Sequence, residues 1–391
     1  MAITLANADN ALKSYYLDAV SEQLSGANPF LAKIKQSTDN VWGKEVKKLA
    51  IYGINGGIGA GSEDGALPPA KGNNYAQFTA TLKNLYGTIE ISDKAIRASE
   101  NNAGAFVNLL NAEMDGLVRA SSFNLGRMLF GDGSGKIATV KAVNSEIITL
   151  DSAAGVDVGM EIEIRTAAGE VLEAVPDGVI SMVDRANKNI KITTTGTVNN
   201  TNVPAGCIIN LKGSYNNEIT GLGAIFATSG SLYGVSRSTN PWLTPYTKNS
   251  AGTLSEQMIQ TALDMIEENG GAPVNFIICS WGVRRALQKL LSANKRFVET
   301  TELAGGYKAM TYNGIPVVAD RFCQPGTMYL LNTEDFTMHQ LCDWQWLCGD
   351  DGRVLRQIAG KPVYTATLVK YAELICDRPY AQGRIAGISE A

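Results

Sequence analysis

Asn313-Gly-Ile-Pro-Val-Val-Ala-Asp320, with Gly326-Thr-Met-Tyr-Leu-Leu-Asn-Thr333 soon after it, is the stretch on which the fold turns. Each half holds a short apolar run, 315–318 and 328–331, closed off by Gly, Asn, Asp or Thr. Runs of this length between turn residues predict strands buried in a sheet. Upstream, Pro273-Val-Asn-Phe-Ile-Ile-Cys-Ser280 is a third such strand. Its Ser280 is placed to cap a helix that turns Val283, Leu287, Leu290 and Leu291 inward. Before that, Thr253-Leu-Ser-Glu256 reads as a capping box. It opens a helix with the stripe Met258, Ile259, Ala262, Leu263 and Ile266, which Gly270-Gly271 ends. The region from Thr253 is therefore mixed α/β, and residues 353–376 add two or three longer strands.

Working toward the N-terminus, the pattern changes twice. Residues 136–213 carry short alternating strands, at 147–150, 160–165, 178–183, 190–194 and 207–212, between Asn, Gly and Asp turns. That frequency of turns predicts a small barrel or sandwich. Residues 214–252 are Gly-, Ser- and Thr-rich with little periodicity. Before the β segment, Phe106, Leu109, Leu110, Met114, Leu117, Val118, Leu125, Met128 and Leu129 recur at spacings of three, four and seven. They predict one helix over 103–130, about 40 Å long at 1.5 Å per residue.

Further back, 44–52 alternates loosely. Phe78, Ala80 and Leu82, then Ile89 and Ile91, alternate again. Between them, 53–74 is rich in Gly, Pro and Asn, so 42–91 predicts two strands joined by a stretched loop. Loops beyond about 12–15 residues are usually functional or mobile. Leu12, Tyr16, Ala19, Val20 and Leu24 share one helical face within 10–35, with Gly26 as a stop and a break at Asn28-Pro29. A helix that short needs a surface to lie on.

Composition narrows the function. Of 391 residues 40 are Gly, and only 18% are charged. The usual figures are about 7% Gly and about a quarter charged. Low charge with much Gly suits extended segments that another surface covers. The formal net charge of −4 argues against a dedicated reader of DNA or RNA, which carries a basic face. It leaves room for non-specific contact through Lys44, Lys47 and Lys48, or through Arg284, Arg285, Lys289, Lys295 and Arg296. The six Cys contain no CxxC and read as buried free thiols in a reducing compartment. The N-terminus lacks a secretory pattern. The apolar stretch 274–283, broken by Asn275 and Ser280, is far short of the roughly 20 residues that cross a bilayer. A soluble chain made in a cytoplasm is expected.

Chemistry is hard to place. Gly131-Asp-Gly-Ser-Gly135-Lys136 is one residue short of a phosphate loop, has Ile137 where a hydroxyl is needed, and follows a helix. Gly56-Gly57-Ile58-Gly59-Ala60-Gly61 misses the dinucleotide spacing. His339 is the one imidazole, and no G-x-S-x-G elbow accompanies it. Asp350-Asp351 reads as a solvated turn. No catalytic residue, cofactor or metal site is assigned.

The order of elements, the 313–320 and 326–333 segments, 273–280 with its helix, and Trp242 before them together resemble the major capsid proteins of tailed bacteriophages. That shell fold is shared with encapsulins. The resemblance covers nearly the whole chain except 136–213. It implies an α+β fold with an N-terminal arm (1–41), an extended hairpin loop lying over a neighbour (42–91) and a spine helix of a peripheral domain (92–135). An inserted β subdomain (136–213), a linker and peripheral segment (214–252), an axial α/β domain (253–350) and C-terminal strands returning to the peripheral domain (351–391) follow.

It further implies a non-enzymatic virion protein, assembled in the host cytoplasm into hexamers and pentamers of an icosahedral or prolate head around double-stranded DNA. A separate scaffolding protein, a portal and a decoration protein are the implied partners, with no membrane. Expected subunit contacts are Tyr16, Pro29, Phe30, Gly57, Gly59, Pro68, Pro69, Lys71, Tyr75 and Phe78. Some family members cross-link through a loop lysine, but Lys71 is read here as solvated. The alternatives are an encapsulin-like cargo compartment and an α/β nucleotide-binding enzyme.

Overall fold

The computed structural model describes residues 28–94, 103–293, 300–303, 307–348, 352 and 354–390. The three apolar runs lie side by side. Phe276–Cys279 pairs in parallel with Ile315–Ala319 and antiparallel with Met328–Leu331. They sit mid-way in a seven-stranded sheet. Its order is Tyr246–Lys248, Gly383–Ile385, Met328–Leu331, Phe276–Cys279, Ile315–Ala319, Tyr307–Tyr312, Thr300–Leu303.

Both faces of this sheet are covered, which is why the runs are uniformly apolar. Ile277, Cys279, Val317, Met328 and Leu330 face the helices Glu256–Gly270 and Trp281–Ala293 through Ile259, Ile266, Val283 and Leu287. Phe276, Ile278, Val318, Tyr329 and Leu331 point the other way, into a second and larger core. Gly271, at φ 63°, ends the first helix, and its N–H donates to Glu267 O at 2.8 Å. The N-cap of that helix is Ser255, not Thr253. Its extended backbone lets the Ser255 side chain accept from Met258 N.

The larger core is built on a second sheet. Val363–Cys376 pairs with Phe336–Trp346 on one edge and with Lys83–Ser92 on the other. Lys35–Ser37 and Arg356–Gln357 extend it. The spine helix, Ala103–Phe130, crosses this sheet at Gly87. A Cβ there would stand 2.7 Å from Leu117 Cδ1, so a larger residue would displace the Leu117 side chain. Met114, Val118, Leu125, Met128 and Leu129 are the helix's buried stripe.

Residues 136–213 form a closed six-stranded barrel rather than a sandwich. Its core, around Val140, Ile148, Ile162, Ile164, Ile180, Ile190 and Ile209, is separate from the other two. Closure removes the free edges that a small open sheet would expose. The barrel leaves the spine helix at Gly131–Gly135 and returns beside it. There Arg127 on the helix grips Glu218 with both terminal guanidinium nitrogens, one of them at 2.9 Å, and both side chains are buried. Gly155 of the barrel rests against the Arg127 stem.

The expected segment boundaries shift at several points. Residues 28–34 are turns leading into the strand Lys35–Ser37, not the end of a helix. The remainder of the expected N-terminal helix, with Tyr16, lies outside the described residues. Lys83–Ser92 belongs to the second sheet and not to the hairpin. Phe336–Trp346 also belongs there, although 253–350 was expected to be one unit. Residues 353–376 hold one long strand and one short one. The last strand, Gly383–Ile385, joins the seven-stranded sheet and does not return to the other. Residues 214–252, expected as a linker and peripheral segment, place Ile219, Leu222, Ile225, Phe226 and Leu243 in the larger core.

The Arg127–Glu218 clamp makes a quantitative prediction. Arg127→Ala would leave a buried carboxylate unpaired, and removing one partner of a buried pair costs about 3–5 kcal/mol. Urea unfolding of the unassembled subunit should show that loss. A change below about 1 kcal/mol would contradict the assignment.

Candidate assembly surface

The hairpin is a three-stranded sheet of Val41–Trp42, Glu45–Tyr52 and Asn74–Thr81. Its register runs from Glu45↔Thr81 to Tyr52↔Asn74. The side-chain period of two then sorts its faces. Val46, Ala50, Phe78 and Ala80 point inward and are buried. Leu49, Ile51 and Tyr75 point outward and are exposed, and Ile51 and Tyr75 are directly paired. Trp42, opposite Glu45, continues this face and is 71% exposed.

The base of the hairpin is fixed. Tyr52 stacks on Trp242 with centroids 4.6 Å apart and planes 6° apart. Phe78 lies 6.1 Å from Trp242 and 5.3 Å from Tyr233. Thr79 N donates to Tyr233 O at 2.9 Å. The Tyr233 hydroxyl donates to Leu374 O at 3.0 Å and accepts from Cys376 N at 3.1 Å. Lys48 pairs with Asp377 at 2.6 Å. The hairpin is thereby bolted to the end of the longest strand.

Beyond Tyr52 and before Asn74 the chain leaves the sheet. Asn55 Oδ1 accepts from Gly57 N at 2.8 Å, and Asn55 Nδ2 donates to Asn73 Oδ1 at 3.1 Å. The two arms run together without strand pairing. A Cβ on Gly57 would meet Lys71 N at 3.2 Å, and one on Gly59 would meet Pro68 Cγ at 3.1 Å. Ser62–Gly65 makes the tip turn, where Gly65 N donates to Ser62 O at 3.1 Å. Ile54, Ile58 and Leu67 are exposed along the loop, Leu67 at 89%.

Of the expected contact residues, Gly57, Gly59, Pro68, Pro69, Lys71 and Tyr75 fall together on this loop and the outer strand face. Pro29, Phe30 and Phe78 do not. They are buried in the subunit's own core, with Phe30 5.3 Å from Phe336, so they are corrected to packing residues. Trp42, Leu49, Ile51, Ile54, Ile58 and Leu67 are exposed on the same hairpin and loop and were not among the expected residues. For Leu49 and Ile51 the signal was the looseness of the 44–52 alternation, in which both are out of phase with Val46 and Ala50.

His339 and the Gly131–Gly135 segment have structural partners. His339 is 2% exposed on Phe336–Trp346, and its Nδ1 donates to Asp39 O at 2.9 Å. Burial lowers its pKa. At Gly131–Gly135, Asp132 Oδ1 accepts from Ser134 N at 3.0 Å, closing a turn after the helix. Asp350 and Asp351 lie outside the described residues. Among the described residues no three potential ligands gather around a metal position, and no helix is long and apolar enough to cross a membrane.

Known proteins share this architecture. Residues 189–348 match the model of the SU10 major capsid protein family. The capsid protein in the cyanophage A-1(L) asymmetric unit superposes with a TM-score of 0.56 at 13% identity, over 95% of this chain and 93% of that one. The capsid of a native GTA particle aligns over 93% of this chain and 91% of that one, at 13% identity and a TM-score of 0.48. The holo-SrpI encapsulin of Synechococcus elongatus PCC 7942 aligns over 93% and 89%, at 10% identity and 0.46. No curated protein matches the chain in sequence.

The fold is the phage capsid shell fold. The family match lies within residues 189–348, less than half of the chain, and takes in six of the seven strands of the larger sheet.

Two predictions follow from the platform under the hairpin. Trp242→Ala removes a half-buried ring stacked between Tyr52 and Phe78. It should cost roughly 2–3 kcal/mol, below the 3–5 of a fully buried aromatic. Loss of near-ultraviolet dichroism with the rest of the subunit folded would report the freed hairpin, and an unchanged unfolding midpoint would contradict the anchor.

The second concerns Glu373, fully enclosed on Val363–Cys376. It accepts from Thr220 N at 2.6 Å and Leu374 N at 3.0 Å. Burial outweighs those two donors and pushes its carboxyl up to about 7. The folded state therefore holds the proton more tightly than the unfolded state. Its contribution to stability is complete below about 4.5 and is lost as pH rises through about 7. Urea midpoints at pH 5 and pH 8 should fall further for the native chain than for Glu373→Gln. The difference should be on the order of 3 kcal/mol. Equal falls would contradict the assignment.

Proposed function

We propose that the chain tiles a closed phage head as hexamers and pentamers around double-stranded DNA, with each hairpin and its loop lying on a neighbouring subunit. The observation that carries this is the two-faced hairpin. Its inner face is locked into the subunit by Tyr52, Phe78, Trp242 and Tyr233, while Leu49, Ile51, Tyr75 and Trp42 face outward. Leu49, Ile51 and Tyr75 cluster at the loop end of this face, while the Glu45–Lys47 ion pair lies between them and Trp42; an exposed apolar cluster rimmed by polar residues marks an interaction surface. Each side chain fully covered by a neighbour contributes about 1.5–3 kcal/mol. A shell repeats the same contact by symmetry, so a modest interface per subunit closes a stable particle.

The remaining partners rest on the resemblance: a separate scaffolding protein, a portal and a decoration protein, with assembly in the host cytoplasm. A net charge of −4 suits a wall that touches its nucleic acid loosely and reads no sequence.

The test replaces residues 53–73 with Asn-Gly, a two-residue turn that suits the strand ends at Tyr52 and Asn74. The subunit should keep its unfolding midpoint and fail to form closed shells in electron microscopy. Particles of native size and stability would refute the reading. Native particles that carry protein cargo and no nucleic acid would refute the DNA head and point to a cargo compartment.

A further inference from the structure

Asn followed directly by Gly occurs three times in the chain, at 55–56, 269–270 and 313–314. The settings differ. Asn269 lies inside the helix Glu256–Gly270, where helix bonding fixes the peptide that follows it. Asn313, at φ 50°, is held in the tight turn between Tyr312 and Ile315, and its Nδ2 donates to Gln260 Oε1 at 3.2 Å. Asn55 and Gly56 are exposed and lie outside any helix or strand. Among the described residues no acceptor engages the Gly56 N–H.

The loop also arranges groups around the Asn55 amide. Its Oδ1 accepts from Gly57 N at 2.8 Å, which folds the side chain over the Gly56 peptide. Its Nδ2 donates to Asn73 Oδ1 at 3.1 Å and so ties the two arms of the loop. Attack at the amide carbon moves negative charge onto Oδ1, where the Gly57 N–H already points. Glycine at 56 places no side chain in the path of that attack.

We propose that Asn55–Gly56 is a self-modifying site of the free subunit, at which the side-chain amide is lost to solvent and the tie between the loop arms is lost with it. The Gly56 nitrogen forms a bond to Asn55 Cγ and gives its proton to solvent. The Cγ–Nδ2 bond breaks, and Nδ2 takes a proton from solvent and leaves as ammonia. Water then opens the cyclic imide at either carbonyl, leaving aspartate or isoaspartate at 55. The attack is intramolecular, so water is the one co-reactant.

Both products change the loop. Isoaspartate carries the main chain through Cβ and Cγ, one carbon longer. The bonds from position 55 to Gly57 and to Asn73 cannot then both be kept. Aspartate puts a negative charge where a neutral amide donated. An aged subunit therefore presents an altered loop to its neighbour. That last step rests on the reading that the loop lies on a neighbour; the chemistry does not.

The test incubates the full unassembled chain at neutral pH and maps it by tryptic mass spectrometry. Asn55 is the one side-chain amide within 49–71, so a gain of one mass unit in that peptide reports it alone. Conversion at Asn55 should outpace that at Asn269 and Asn313 by about tenfold or more, with isoaspartate among the products. Gly56→Ala should slow it by a similar factor. A Cβ at 56 would meet the flexible Lys71 stem, 3.1 Å from Cδ, so the loop accommodates it. Equal rates at the three sites, or no slowing in Gly56→Ala, overturn the site. Aged native subunits should lose closed-particle yield in step with conversion, while Gly56→Ala subunits aged alike keep theirs. Full yield from converted subunits overturns the effect on the loop. Failure of the loop reading itself shows separately, as native assembly by the 53–73 replacement.

Discussion

A sheet with one face locked into a core and apolar side chains on the other carries, alone in water, a hydration cost that burial against another surface would relieve. The hairpin of this subunit is such a sheet, and the surrounding structure holds it in that condition. The Tyr52–Trp242 stack, the Tyr233 hydroxyl bridge and the Lys48–Asp377 pair prevent it from folding back to hide Leu49, Ile51 and Tyr75. The apolar surface can then be satisfied only by another molecule. Rigidity at the base also prepays part of the ordering cost of association.

The remaining architecture serves that presentation. The long strand Val363–Cys376 is the common beam. It pairs with Lys83–Ser92 along one edge, receives the Tyr233 bridge at Leu374 and Cys376, and ends beside Asp377. The spine helix presses on the same sheet where Gly87 admits it. The seven-stranded sheet shares the larger core through Phe276, Ile278 and Tyr329, so the two sheets pack around one common interior. The barrel has a core of its own and is tied back through the buried Arg127–Glu218 pair.

Much of this was legible from the chain. The apolar runs at 276–279, 315–318 and 328–331 announced a doubly covered sheet, because strands buried on both faces lose their alternation. The spine helix was readable from its spacing, and the barrel from its turn frequency. What could not be read was long-range partnership. Phe78 looks the same in sequence whether it faces Trp242 or a neighbouring subunit. Gly383–Ile385 is too short to reveal which sheet it joins. The buried pair of Arg127 with Glu218 spans the entire barrel, so no local pattern exposes it. The resemblance to capsid proteins supplied the shell fold, but it did not identify the outward residues Trp42, Leu49, Ile51 and Leu67.

Hydroxyl-radical footprinting of the same protein before and after assembly tests the central claim most directly. Labelling of Leu49, Ile51, Leu67 and Tyr75 should be strong in the free subunit and should fall several-fold in closed particles, while Val171 and Met182, on the barrel's exterior, stay reactive as internal references. Equal labelling of the hairpin in free and assembled protein would contradict the account, because the exposed face would then have no part in building the shell.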